Sequence, residues 1–215
     1  HKVDGTKLEY HCGEVDSIVN YQVMPETEQH EAVDLGLSVL WATCNVGASA
    51  PYQKGKTYAW GETEPKEDGS KDNYWFYNKE TKSYKDIGQD ISGTIYDAAR
   101  QEWGGDWRMP TKEEIYELIE KCKWEHITTF DVYLVTGPNG NYIFMPLFAA
   151  PNAPNYFFTK YWSSTTRGYE VSFTSSHCIS LYAYYNSFGL LDSKYCKMDL
   201  EYIEDCACIR PVKNK

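Results

Sequence analysis

The stretch "GGDWRMPTKEEIYELI", Gly104 to Ile119, decides the fold class, because it holds the end of one helix, a stiff link and the start of another. Two adjacent glycines stop a helix, since glycine enters left-handed backbone without steric cost. Pro110 stiffens the approach to Thr111, which heads a capping box with Glu114 three residues on. From there Ile115, Leu118, Ile119 and Cys122 recur at i, i+3, i+4 and i+7, the stripe of an amphipathic helix. Trp107 is expected to fill the junction between the two helices. The joint carries no constellation of nucleophile, base or metal ligand, so it reads as scaffold.

Working outward, "TIYDAARQEW" (94–103) predicts the helix that the glycines end. Thr94 is its expected cap, with Asp97 three residues on and Ile95, Ala98, Ala99 and Trp103 on one face. Before it, residues 58–90 lack sustained periodicity and read as a long surface excursion. After the joint come strand-like runs: "YLVT", the turn "GPNG", "NYIFMPL", then "YWSST", "YEVSF", "CISLYAYY" and "CACIRPV". One early strand near "VDLGLSVLWATCNVG", two helices and a run of short strands give an α+β order.

The chain of 215 residues suits one main domain with a short appendage. The expected division is an N-terminal β-hairpin arm over 1–24, a polar linker over 25–31 and the domain over 32–215. No initiating Met or signal peptide begins the chain, which suggests a mature or trimmed form. A net charge of −10 opposes a surface that tracks phosphates, so nucleic acid is not an expected partner. The longest apolar run, "YIFMPLFAAP", is too short to span a bilayer. Nineteen tyrosines and seven tryptophans exceed what a core needs and suggest aromatic recognition. Seven cysteines, spread without CxxC pairs, favour an oxidising, extracytoplasmic setting. Cys44 and Cys122 read either as a disulfide, which would contribute about 3–4 kcal/mol, or as two buried free thiols.

"VDLGLSVLWATCNVGA", "YAWGE", "YDAARQEWGGDWRMPTKEEIYELI", "VTGPNGNYIFMP", "YWSST" and "IRPV" together resemble the major paralogous (FISUMP) domain family of Bacteroidetes-type surface proteins. The resemblance runs from about Val33 to Val212. It implies a C-type-lectin-like fold with two helices and a mostly antiparallel twisted sheet, in which the first strand, near Val39, pairs with the last, near Ile209. It also implies a surface location attached to the outer membrane, with any lipid anchor upstream. Trp41, Trp60, Trp107, Pro110, Thr111, Trp162 and Arg210 fall in these motifs and are expected to be structural.

Chemistry finds little footing. The calcium tripeptides of sugar-binding C-type lectins are missing: "EPK" at 64–66 lacks the amide or acid. Glu62, Glu64, Glu67, Asp68 and Asp72 could offer oxygen ligands but read as a solvated charged loop. Cys206 and Cys208 on one strand would face the same way and raise a remote comparison with the copper-binding cysteines of formylglycine-generating enzymes, whose spacing they do not reproduce. No cofactor, no metal and no enzymatic activity are expected. The expectation is a binding or adhesion module for a glycan or protein ligand. The alternative is a structural, pilus-associated subunit whose arm pairs with another chain's sheet edge.

The expected ligand surface lies between Tyr161 and Cys206, where Tyr, Ser, Asn, His and Asp mix as they do in recognition loops. If "HCISLYAYYN" is a strand with Ile179, Leu181 and Ala183 facing in, then Cys178, Tyr182 and Tyr184 face out. Arg167, Tyr169, His177, Asn186, Asp192 and Tyr195 complete the candidate set. The layout also resembles retroelement-diversified variable proteins, with a variable patch just before a fixed C-terminal strand.

Overall fold

The computed structural model describes residues 30–150, 153–169, 174–185 and 191–215. The expected arm, and the linker up to residue 29, lie outside them. Over the described residues the fold is α+β: two short helices and many antiparallel strands in small sheets.

The chain enters through β1 (Ala32–Asp34) and β2 (Val39–Ala42), passes β3 (Tyr58–Ala59) and the small pair β4 (Tyr77–Asn78) and β5 (Ser83–Tyr84), and reaches α1 (Ala98–Trp103) and α2 (Lys112–Lys121). A three-stranded meander follows: β6 (Lys123–Ile127), β7 (Val132–Thr136) and β8 (Tyr142–Pro146). Then β9 (Phe148–Ala150) and the long β10 (Ala153–Tyr169), β11 (Thr174–Tyr185) and β12 (Leu191–Tyr202) form a sheet in the order β12-β11-β10-β9. The chain closes with β13 (Cys206–Ala207) and β14 (Val212–Asn214).

The second helix forms as its sequence dictates. Thr111 accepts from Glu114 N through its hydroxyl, and the Glu114 carboxylate accepts from Thr111 N, a complete capping box. Ile115, Leu118 and Cys122 are buried along one face. The first helix starts later than expected. Thr94 caps only a turn, donating its hydroxyl to the Ile91 carbonyl, while Asp97 is the N-cap and Ile95 is 72% exposed. Asp97 wins because its carboxylate is fully buried and gathers three backbone donors: Arg100 N at 3.1 Å, Gly93 N at 2.8 Å and Met109 N at 2.8 Å. The last of these ties the helix start to the joint itself.

At the joint, Gly104 and Gly105 have φ of +66° and +55°, and a Cβ at either would meet nothing within 4 Å. The sign of φ requires glycine there, and crowding does not. Trp107 is 7% exposed and stands edge-on to Trp103 at 5.1 Å. Arg108 exchanges backbone hydrogen bonds with Val212 and grips Glu114 with both guanidinium nitrogens, at 2.6 and 2.8 Å. The joint therefore docks the helices onto the C-terminal strand.

The strand near Val39, β2, does pair with the last strand, β14. Val212 lies opposite Trp41 and Asn214 opposite Val39, so the expected closure holds, with its centre three or more residues beyond Ile209. The run "CACIRPV" is not one strand. It stitches in turn to Tyr58 and Ala59 through β13, to Lys160 and Trp162 through Cys208, to Val46 through the Ile209 carbonyl, and to Trp41 through β14. Arg210, 1% exposed, locks this path. It donates from Nε to Asn45 Oδ1 (2.8 Å) and from its terminal nitrogens to the carbonyls of Ala42 (3.1 Å), Thr43 (2.5 Å) and Phe144 (2.9 Å).

Two cores result. The first gathers Trp41, Ile115, Leu118, Val135, Ile179 and Leu181 between α2 and the sheets. The second gathers Tyr58, Trp60, Ile91, Met109, Trp162 and Ile203. The excursion over 58–90 is thus not merely surface. Tyr74 is buried and donates to the Trp60 carbonyl at 2.8 Å, and Glu62, fully buried, accepts from Trp75 N at 2.7 Å and pairs with Lys66. Glu62 therefore does not belong to a solvated loop.

Of the two readings of Cys44 and Cys122, the structure has the free thiols, with Cys122 buried and Cys44 half-buried. Cys122 caps α2 and packs as a small apolar side chain in the first core, where burial pushes its thiol up to about 11. No described helix is long and apolar enough to cross a membrane.

Candidate functional site

Strand alternation sets what the four-stranded sheet offers. On one face Tyr161, Ile179, Leu181 and Ala183 are buried in the first core, with Cys196 and Met198 packed against it. This is the inward face expected from the sequence. The other face is divided. At its middle Trp162 and Cys178, cross-strand partners, are sealed into the second core. Cys178 alternates outward as expected, yet it is fully buried, because that half of the face is itself covered.

Beyond that seal the outer face is aromatic. Register sets Phe148 of β9 beside Phe158 of β10, Phe158 beside Tyr182 of β11, and Tyr182 beside Tyr195 of β12, a row crossing all four strands. The next row pairs Tyr156 with Tyr184 and Tyr184 with Ser193. Tyr156 stacks on Phe158 at 5.7 Å with an interplanar angle of 21°, and leans on Tyr182 at 5.7 Å and 38°. Tyr184 is 39% exposed, and Tyr156, Phe158 and Tyr182 are half-buried. Offset rings at these separations support one another.

Lys160 and Lys197, both opposite Ser180, stand between the aromatic rows and the sealed middle and reach acids level with it or beyond it on β12. Lys160 pairs with Glu201 at 2.7 Å and Lys197 with Asp199 at 3.0 Å. Asp205, partly buried and hydrogen-bonded to Glu201, is pushed up to about 6 by desolvation first and its acidic neighbour second.

The sequence-derived set does not converge on one place. Tyr182, Tyr184 and the backbone of Tyr195 and Asp192 lie at the aromatic end. Arg167, exposed, and Tyr169 lie at the opposite end of β10, next to its bulges. His177 is half-buried, with Nδ1 3.1 Å from the Thr165 carbonyl, and seven residues of strand separate it from Tyr184, about 23 Å. Asn186 lies outside the described residues. Phe148, Tyr156 and Phe158 were missed. The signal was present: alternation back from Trp162 through Lys160 reaches Phe158 and Tyr156, but Pro154 and the Phe-Phe pair obscured a strand start.

Trp41, Trp60 and Trp162 are fully buried, and Trp60 and Trp162 donate reciprocally to the Ser163 and Tyr58 carbonyls at 3.0 and 2.8 Å. The late cysteines are held neutral: burial first pushes Cys206 up to about 11 and Cys208 up to about 12. Cys208 points its sulfur at the Lys54 carbonyl, 3.6 Å away. Protonated thiols are poor nucleophiles and poor soft-metal ligands. Among the described residues no group of three or more His, Cys, Asp or Glu is placed to hold a metal.

Compared with known proteins, the chain matches no family model, no curated protein and no solved structure.

Proposed function

We propose that this chain is a non-enzymatic binding module of a cell surface, with a C-type-lectin-like fold, that contacts its ligand through the open aromatic half of the four-stranded sheet. The observation that carries the reading is the cluster of Phe and Tyr beyond the second core, half-buried at Tyr156, Phe158 and Tyr182 and exposed at Tyr184, where a sheet face would ordinarily be polar or fully covered. The pairing of the strand near Val39 with the last strand, the two helices and the C-terminal "IRPV" anchored by buried Arg210 support the fold assignment and the kinship with major paralogous domains. A surface location, attached to the outer membrane, follows from that kinship.

Of glycan and protein ligands, the geometry favours protein. Rings that lean on one another across neighbouring strands form one broad aromatic patch, a contact that suits a protein surface more than a single sugar ring seeking an open aromatic face. One feature favours the assembly-subunit alternative: β12, twelve residues long, is the edge strand of its sheet among the described residues. Lys194, Lys197 and the bond from Leu200 N to its neighbouring Asp199 carboxylate are the kind of features that guard such an edge.

The test is binding of the intact chain to arrays of glycans and of extracellular proteins, wild type against a Tyr182→Ser, Tyr184→Ser variant. Each aromatic anchor lost from a contact centre costs about 2 kcal/mol, so about 30-fold or more in affinity is expected to disappear for genuine ligands. Ligands that bind the variant as they bind wild type would remove the aromatic face from the account.

A further inference from the structure

Where β6 turns into β7, a buried histidine stands in a setting that the aromatic face does not use. His126 of β6 lies opposite Tyr133 of β7 with its side chain fully buried, and neither ring nitrogen has a hydrogen-bond partner among the described residues. Its ring centroid is 5.3 Å from that of Tyr133 and 6.3 Å from that of Tyr185, the last residue of β11. The nearest anion is Asp131, whose Oδ1 is 3.9 Å from His126 Nε2.

That carboxylate is already engaged, since Tyr185 donates its hydroxyl to the same Oδ1 at 2.5 Å. Asp131 itself is fixed by its backbone. Its φ is +48°, in the left-handed region, and its carbonyl accepts from Leu147 N at 2.8 Å. Its side chain, one quarter exposed, therefore stands between a phenol it holds and an imidazole it does not.

The charged groups that act on the ring are Asp131, from the loop before β7, and Lys194, from β12. Burial lowers the proton affinity of His126 first, Asp131 opposes this, and Lys194 adds to the lowering. A neutral imidazole leaves Asp131 to Tyr185. A charged one, buried and without another acceptor, would demand the carboxylate.

We propose that His126 and Asp131 form a proton-operated latch on the end of β11: when the imidazole gains a proton, Asp131 turns from the Tyr185 hydroxyl to the imidazolium, and the strand end that carries Tyr184 loosens. The proton comes from solvent and returns to it, and no covalent bond changes. The latch sits one residue from the aromatic face yet does not depend on what that face binds. The fold favours neutral His126, so this contribution to stability is complete above the ordinary histidine value of 6.5 and is lost as pH falls below it.

The experiment is NMR titration of the intact chain from pH 8 to pH 4.5, with labelled histidine and tyrosine rings and Tyr185 assigned through Tyr185→Phe. His126 should titrate below 6.5, the Tyr185 ring signal should move with the same midpoint, and His126→Gln should abolish that movement. A Tyr185 signal that stays flat while His126 titrates, or that moves unchanged in His126→Gln, overturns the latch. Asp131→Asn decides the matter if His126→Gln does not fold. The amide still accepts from Tyr185 but offers no charge to the imidazolium, so Tyr185 should cease to follow His126, and a Tyr185 that still follows it rules the latch out.

Discussion

Two halves of one sheet face invite comparison. Around Trp162 and Cys178 the outer face of β10 and β11 is closed over by a second core that includes Trp60, Ile91 and Met109. A few residues along the same strands, Tyr156, Phe158, Tyr182 and Tyr184 use the same alternation and comparable side chains, but stand half-buried or exposed. Alternation decides only which way a side chain points, and what the rest of the chain lays on top decides whether it is core or contact surface. The excursion over 58–90 and the helix joint supply the lid for the first half, bonding β10 at Ser164 through Pro110 and at Thr166 through Gln89.

The comparison predicts unequal costs. Trp162→Ala in the covered half should lose about 3–5 kcal/mol in urea unfolding, because it removes a fully buried ring and its bond to the Tyr58 carbonyl. A loss under about 1 kcal/mol would mean that the two halves are alike. Arg210→Met comes next, at ~3 kcal/mol, since it leaves Asn45 and three carbonyls of the C-terminal stitch without their donor. Asp97→Ala should cost about 2 kcal/mol, measured the same way, through the lost cap and the freed Gly93 and Met109 amides that hold the lid to the joint. Reductant should leave the unfolding midpoint unchanged, because Cys44 and Cys122 are separate thiols. A drop matching about 3 kcal/mol would reveal a cross-link.

What could be read from sequence follows the range of the interactions involved. The capping box of Thr111 and Glu114, the stripe through Ile115 and Leu118, and the turn "GPNG" between β7 and β8 are local, and they form as expected. The inward set Ile179, Leu181 and Ala183 was also legible, since period-two alternation needs only the strand itself. The start of α1 was not, because Asp97 outcompetes Thr94 only with the help of Met109 N, twelve residues away. Nor was the burial of Cys178, which depends on elements far apart in the chain, or that of Glu62, held by Trp75 N across an aperiodic loop. For the candidate surface, Tyr182 and Tyr184 were found and Tyr156 and Phe158 were not. Arg167 and His177 were grouped with them only because sequence distance conceals about 23 Å of strand.

The most direct measurement pairs stability with binding in one variant, Tyr156→Ser with Tyr182→Ser and Tyr184→Ser. These side chains are offered to a partner on this account, so the variant should keep its urea midpoint to within about 1–2 kcal/mol while its binding on the protein array collapses. The opposite pairing, a loss of 4 kcal/mol or more on the order of a core deletion with array binding intact, would make the aromatic rows packing and contradict the account.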